Sequence, residues 1–268
     1  MLKVSVGIMA FNEEANIGLL LKSIADQKLK KIDIAEIIVV ASGCTDATVE
    51  IVEKEAKKDK RIKPTIQKRR EGKASAVNLY IKKAKSKVLV MVSADALPET
   101  DALEKLCLPF YDEGVGMTSA HIKPVNKTDT FMGYYNQIFW KLHHGIALSS
   151  FKAGEAVAWK NVIDSIDPKT STDETNIAAL ILKKKLKTVY VAEAIVRNKG
   201  PETIHEFITV RRRHLSAYYH LGQKVGLAYL PPTMDNLKVL KMFIREVKPK
   251  SFKEAVWSIG VVGLEILA

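Results

Sequence analysis

Four polar stretches follow apolar runs in the first hundred residues, and each carries side chains able to do chemistry. Asn12, Glu13 and Glu14 follow the run at 4–9. Ser42 and Asp46 follow 35–41, Lys73 follows 63–67, and Asp95 follows 87–92. Carboxylates so placed can hold a divalent cation, and a lysine attracts phosphate. Two further groups stand apart: the acidic pair Asp173-Glu174, and the basic run Arg211-Arg212-Arg213-His214. An acidic pair at the head of a helix also stabilises that helix by position alone.

These residues need elements to hold them. The runs at 4–9, 35–41, 63–67 and 87–92 are short and apolar enough to be buried strands. Between them the pattern turns helical at 12–27, 45–58 and 74–85, with Asn12 as the expected cap of the first helix. A further helix follows Pro98. Strands alternating with helices predict an α/β fold with a mostly parallel sheet covered on both faces. Ligands in such sheets bind beyond the carboxyl ends of the strands. Asn12, Ser42, Asp46 and Asp95 all fall there, which predicts the site. Beyond residue 100 the pattern is less regular: strands are expected at 115–122, 154–159 and 188–192, and helices at 131–148, 173–185, 203–221 and 236–247. Residues 257–268 are mostly apolar and fit a core helix, an interfacial helix or the start of a membrane segment.

Bulk composition narrows the class. The 268 residues are 47% hydrophobic and 27% charged, a globular balance. A formal net charge of +12 favours phosphates, anionic lipid or nucleic acid without choosing among them. Lysine-rich composition also occurs in proteins from hot environments. The 2 cysteines, Cys44 and Cys107, make no metal spacing and no disulfide framework. The N-terminus runs straight into a strand without a signal-peptide layout. A reducing, cytoplasmic setting is expected.

Taken together, four segments resemble family 2 glycosyltransferases of the GT-A fold, a Rossmann-like α/β architecture. VGIMAFNEEANI is similar to that family's opening Pro-x-Tyr-Asn-Glu-Glu, and VVASGCTDAT to its second-strand motif. EGKASAVN followed by KVLVMVSADALPE resembles its Gly-Lys-x-x-Ala-x-Asn helix and DxD loop. DETNIAALILKKKLKTVYVAEAIV, then GPET and VRRRHL, resemble the acidic base motif and closing basic helix. The likeness covers residues 4–215, and its strength lies in order and spacing.

The resemblance implies an inverting transfer of one sugar from a nucleotide-sugar donor. Ala10, Phe11, Glu13, Glu14, Ser42 and Asp46 are then expected to line the nucleotide pocket. Lys73, Ala94, Asp95 and Arg213 are expected at the donor phosphates. Asp95 is the last acid of DxD and the expected metal ligand. Mg²⁺ and Mn²⁺ both suit oxygen ligands. Asp173 and Glu174 are the candidate base, with register favouring Glu174 and the reversed order keeping Asp173 open. Gly154 and Glu155 fall on the acceptor side. His121 is also expected near the acceptor, whereas His143, His144 and Trp159 read as packing residues.

Several family positions are altered. Ser93 replaces the first acid of DxD, and Asn198 stands where a metal-assisting histidine is common. Ser42 replaces a uracil-reading acid, and Ala10 and Phe11 replace Pro and Tyr, leaving the nucleotide open. Val210 and His214 replace the ends of Gln-x-x-Arg-Trp, which argues against processive synthesis.

The expected division is a catalytic domain at 1–202 and a helical segment at 203–268. Basic amphipathic stretches in that segment suit the cytosolic membrane face, with a polyprenyl-phosphate or lipid-linked acceptor and peripheral or anchored attachment. No nucleic-acid partner is expected. A nucleotidyltransferase shares such a core but needs neither Asp173-Glu174 nor the basic helix. A non-catalytic basic module explains the charge but not the ordered acids. A degenerate transferase scaffold is the third alternative.

Overall fold

One mixed sheet of eight strands, in the order β3-β2-β1-β4-β7-β6-β8-β5, organises the computed structural model, which describes residues 1–226 and 229–267. The strands are β1 (Leu2–Ala10), β2 (Ile32–Ser42), β3 (Ile62–Gln67), β4 (Val88–Val92), β5 (Ala96–Pro98), β6 (Val115–Pro124), β7 (Ala156–Lys160) and β8 (Lys187–Asn198). The helices are α1 (Ile17–Ala25), α2 (Thr48–Lys58), α3 (Lys73–Lys83), α4 (Ala102–Cys107), α5 (Phe131–Ser149), α6 (Asp173–Lys183), α7 (Ile204–Val225), α8 (Asn236–Glu246) and α9 (Phe252–Leu267). The first four strands run parallel, as the alternating pattern predicts. β7 enters antiparallel between β4 and β6, and β5 pairs antiparallel with β8, so the second half of the sheet is mixed. β5 has only three residues, too short for any periodicity to show.

Both faces of the central strands are buried, and their residues alternate between two cores. Val88, Val90 and Val92 of β4 pack on one side with Ile17, Leu20, Leu21 and Ile24 of α1. Leu89 and Met91 pack on the other with Val77 and Tyr80 of α3 and Ile177 and Ile181 of α6. This period of two within an unbroken apolar run is what a covered parallel strand requires. Tyr80 crosses the second core. Its hydroxyl donates toward the Ser5 and Val90 carbonyls at 2.5 and 2.9 Å and accepts from the Val90 amide at 3.2 Å. Gly7 makes room for the ring: a Cβ there would lie 2.6 Å from it.

A third cluster joins Met132, Tyr135 and Ile138 of α5 to Phe207 of α7 and Val261 and Leu264 of α9. Among the described residues no helix is long and apolar enough to cross a membrane. Exposed apolar side chains do line the last two helices: Leu237, Leu240 and Ile244 on α8, and Phe252, Val256 and Ile259 on α9.

Candidate active site

The carboxyl ends of β1 to β4 gather at one edge of the sheet. Antiparallel β7 begins where β4 ends, because Val92 pairs with Ala156. Ser93 and Glu155 therefore meet: the Ser93 hydroxyl donates to the Glu155 carboxylate at 2.7 Å, and the Ser93 amide donates to the Glu155 carbonyl at 3.0 Å. α3 and α6 lie on the same face of the sheet and open at the same edge, which brings Lys73 to Asp173 and Glu174.

Loop geometry after β1 and β2 corrects one expectation. Asn12 does not cap α1. It adopts a left-handed conformation with φ 55°, and the helix starts only at Ile17. The Asn12 side chain instead binds across the loops, accepting from the Thr45 amide at 2.9 Å. Asp46 does the same work from the other side, accepting from the amides of Glu14 at 3.1 Å and Thr48 at 3.0 Å. Glu14 accepts from the Ala47 amide at 2.9 Å. Asp46 and Glu14 thus tie the two loops together, and the half-buried Glu13 lies beside them, its amide bound to the Thr48 hydroxyl at 2.7 Å.

Ser42 is buried and accepts from the Glu71 amide at 3.3 Å. Gly43 has φ 65°, and a Cβ there would lie 2.3 Å from the Arg70 amide nitrogen, so the loop after β3 is laid directly on it. That contact sets Arg70 over the Phe11 ring, its guanidinium carbon 3.9 Å from the ring centroid. Arg70 escaped the sequence reading, although the Lys68-Arg69-Arg70 run ahead of Gly72-Lys73 was its visible signal. Ala10 is buried at the end of β1, and Ala94 is buried in the turn between β4 and β5.

Electrostatics set the acids apart. Lys73 lies 3.0 Å from Glu174 and 3.4 Å from Asp173. Burial alone would depress its ammonium, but Glu174, Asp173 and Glu155 outweigh burial and hold it above the ordinary lysine value. Asp173 is 1% exposed at its side chain, and its Oδ1 has no hydrogen-bond partner. Burial pushes its carboxyl up to about 6, with Lys73 pulling the other way and the Glu174 charge adding to the rise. For Glu174, burial also raises, yet Lys73 and backbone hydrogen bonding win and the carboxyl stays below its usual value. The pair is split into an acid-leaning and a base-leaning member, the pattern expected of a site that moves protons.

Asp95 is exposed in the turn that follows β4. The surrounding protein raises its carboxyl, and the Lys73 charge offsets part of that. Burial likewise raises Glu13, with Asp95 and Asp46 adding to the rise and Asn16 opposing. Glu155 is raised first by burial and then by Glu174. These neighbouring acids sit in a chain of net charge +12, so cations are attracted to them locally.

Among the described residues no group of three or more His, Cys, Asp or Glu side chains is arranged to hold a metal ion. Glu155 is engaged by Ser93, and Asn198 is buried. Asp95 alone presents a free carboxylate at the end of β4. That donor set fits a cation shared with a ligand's phosphates, the usual manner of Mg²⁺ sites, and does not fit one held by protein alone.

The remaining candidates separate. Arg213 is exposed on α7, its carbonyl accepting from the hydroxyl of Ser171 at 3.3 Å, two residues ahead of Asp173. Arg211 is diverted to Glu265 of α9 at 2.9 Å. Gly154 donates to the Ser119 hydroxyl at 3.0 Å. His143 and His144 point apart: the first contacts the Ala153 carbonyl at 3.1 Å, while the second stacks on His121 with centroids 4.0 Å apart. Trp159 is fully buried against Tyr80 and is a core residue.

Residues 5–189 match the model of the family described as glycosyl transferase family 2. A Haemophilus influenzae protein named as an uncharacterized glycosyltransferase is 30% identical over 160 residues, 59% of this chain and 43% of its own length. Probable glycosyltransferase YdaM of Bacillus subtilis is 27% identical over 217 residues, 75% of this chain and 51% of its own. The chain thus spans about half the length of these curated relatives. Among solved structures, mannosyltransferase PcManGT from Pyrobaculum calidifontis, in complex with GDP-Man and Mn²⁺, superposes with a TM-score of 0.64 at 21% identity, over 99% of this chain and 75% of that one. S. aureus TarS 1-349 in complex with UDP-GlcNAc gives 0.59 at 17% identity, over 99% of this chain and 81% of that one. These two likenesses establish a shared fold.

Proposed function

The chain belongs to glycosyl transferase family 2, and on that premise we propose that it moves one sugar from a nucleotide-sugar donor to an acceptor with inversion at the anomeric carbon. The observation that carries this reading is the meeting of Lys73 with Asp173 and Glu174 at the strand ends where Asp95 also lies. The donor nucleotide lies in the recess formed by Ala10, Phe11, Glu13, Glu14, Ser42 and Asp46, bordered by Arg70. Its diphosphate reaches Asp95 and Lys73. Asp95 would help hold a Mg²⁺ or Mn²⁺ at the diphosphate, and such an ion would supply neutralisation of the charge on the leaving group. The PcManGT and TarS complexes, with GDP-Man and UDP-GlcNAc, support a nucleotide-sugar donor without selecting the base.

Glu174 is the base in this reading. Its side chain is 18% exposed against 1% for Asp173, so an incoming hydroxyl reaches it first. It is also the member of the pair held ionised. Lys73 serves both substrates: at rest it neutralises Glu174, and donor phosphate competes for the same ammonium, freeing the carboxylate to take the acceptor proton. Asp173 stays behind as the buried partner that keeps Lys73 in place. Glu155, held by Ser93, and Gly154 border the acceptor, and Arg213 flanks the base from α7. A nucleotidyltransferase would leave the Lys73, Asp173 and Glu174 cluster without a task.

Residues 1–202 form the catalytic unit in this proposal, and 203–268 approach a membrane surface. Leu237, Leu240 and Ile244 are exposed on α8 beside Lys238, Lys241 and Arg245, a combination suited to anionic headgroups at the cytosolic face. A polyprenyl-phosphate or lipid-linked acceptor follows from that placement. The test is the anomeric configuration of the sugar product by NMR, with Glu174→Gln alongside. Inversion, together with a loss of about 10²–10⁴-fold in Glu174→Gln, is expected. Retention of configuration, or an unimpaired Glu174→Gln, would reject the assignment.

A further inference from the structure

Lys152 is a buried cation without a counter-charge. It lies on the loop leading into β7 and is 8% exposed. Its ammonium donates to the Tyr218 hydroxyl of α7 at 3.3 Å and lies 5.5 Å from the centroid of that ring. Among the described residues it makes no ion pair. Other cations held close to the protein are paired: Lys160 with Glu113 and Arg211 with Glu265, both at 2.9 Å. An ammonium taken out of water without an anion is strongly disfavoured, and such groups are normally found paired.

The neighbours of Lys152 feel its charge. His143 is pushed down to about 3, first by burial and then by Lys152. His214 is pushed down to about 4 by burial and Arg213, with Lys152 adding to the effect and Glu174 opposing it. His214 therefore links the two: the candidate base raises it and Lys152 lowers it. Lys152 also lines a cavity of about 260 Å³ with Ser150, Thr175 and Thr188, and Thr175 directly follows Glu174. The hydroxyls of Ser150, Thr175 and Thr188 and the buried Lys152 ammonium thus border one cavity beside the start of α6, and no acid among the described residues pairs with that ammonium.

We infer that Lys152, with Tyr218, forms an anion subsite on the acceptor side of Glu174 and takes a phosphate monoester carried by the acceptor. This rests on the transferase reading and deepens it by giving a phosphate of the acceptor its own binding place, apart from the hydroxyl that Glu174 deprotonates. Phosphate supplies the missing counter-charge and accepts from both the ammonium and the Tyr218 hydroxyl. The subsite is separate from Lys73 and Asp95, which meet the donor.

The experiment is titration calorimetry of wild type, Lys152→Met and Lys73→Met. Methyl phosphate and farnesyl phosphate are used in separate arms, so that a soluble and a lipid source of the phosphate are distinguished. Binding of either compound that falls at least tenfold in Lys152→Met, and less in Lys73→Met, is expected. Equal binding by wild type and Lys152→Met, or no binding of either phosphate to wild type, would overturn the subsite. A second measurement avoids dependence on the folding of the variant: NMR of the histidine rings in wild type during the same titrations. Phosphate at Lys152 is expected to move the His214 resonances and to spare exposed His205, and movement of neither would overturn it. GDP and UDP with Mn²⁺ form a parallel arm on wild type. Nucleotide binding without phosphate binding discards the subsite alone, whereas absence of nucleotide binding discards the donor reading on which it rests.

Discussion

Lys73 and Glu174 stand 101 residues apart in the chain and meet at 3.0 Å, joining the first residue of α3 to the first turn of α6. Asp173 reaches the same ammonium at 3.4 Å. Removing Lys73 takes away the charge that lowers both carboxyls. In Lys73→Met the acidic limb of the pH–rate profile is expected to move to higher pH. The rate is expected to fall by about 10²–10³-fold, the scale set by loss of one preorganised electrostatic group. Lys73→Arg should shift the limb less. An unmoved limb in Lys73→Met would mean that the titrating base lies elsewhere.

Asp173 carries a stability cost that depends on pH. Its folded-state carboxyl is raised from 3.8 to about 6. A raised acid contributes stability fully below its unfolded value, and that contribution is lost as pH rises through the folded one. Asp173→Asn is therefore expected to melt higher than wild type at about pH 8 and to lose that advantage as pH falls through about 6 toward 4. Melting curves in the absence of nucleotide test this. An advantage that grows on acidification would contradict the sign.

Ser93 tests the altered metal motif. Its hydroxyl donates to Glu155 at 2.7 Å. Ser93→Asp replaces a donor by a second carboxylate facing the first, so the variant should be less stable than wild type without divalent cations. Mn²⁺ should then stabilise it more than it does wild type, because two or three carboxylates at β4 and β7 form a fuller oxygen site. A Mn²⁺ response no larger than wild type would show that the two carboxylates do not converge on one ion.

Gly43 fixes the loop that carries Arg70. At φ 65°, and with a Cβ 2.3 Å from the Arg70 amide nitrogen, alanine requires the loop to move. Gly43→Ala is expected to cost about 1–3 kcal/mol or more by denaturant unfolding. Nucleotide affinity should weaken as well, since Arg70 leaves the face of Phe11. Unchanged affinity at reduced stability would detach Arg70 from the nucleotide pocket.

The first half of the fold was legible because its strands are covered on both faces, so each reads as an unbroken apolar run such as Lys87 to Val92 followed by a polar turn. Asp95, Lys73 and the Asp173-Glu174 pair could be named from type, order and resemblance. Their contact could not, because Lys73 meets Asp173 and Glu174 only where α3 and α6 pack on one face of the sheet, and the meeting of Ser93 with Glu155 needs β7 antiparallel to β4, a direction that the short run Ala156 to Lys160 does not encode. Asn12 misled for a local reason: it fits a helix cap by type, but the Thr45 amide claims its side chain across the loops. Lys152 stayed hidden among 42 lysines and arginines, because burial, not residue type, sets it apart.

The most direct test of the account is a thermal-shift panel of UDP, GDP and their sugar conjugates, with and without Mg²⁺ or Mn²⁺, on wild type and Asp95→Ala. A ligand that binds only the folded state raises its apparent stability. A metal-dependent rise with one nucleotide class, lost in Asp95→Ala, is the expected result. No rise with any nucleotide, or a rise equal in Asp95→Ala, would contradict a nucleotide-sugar site at the end of β4.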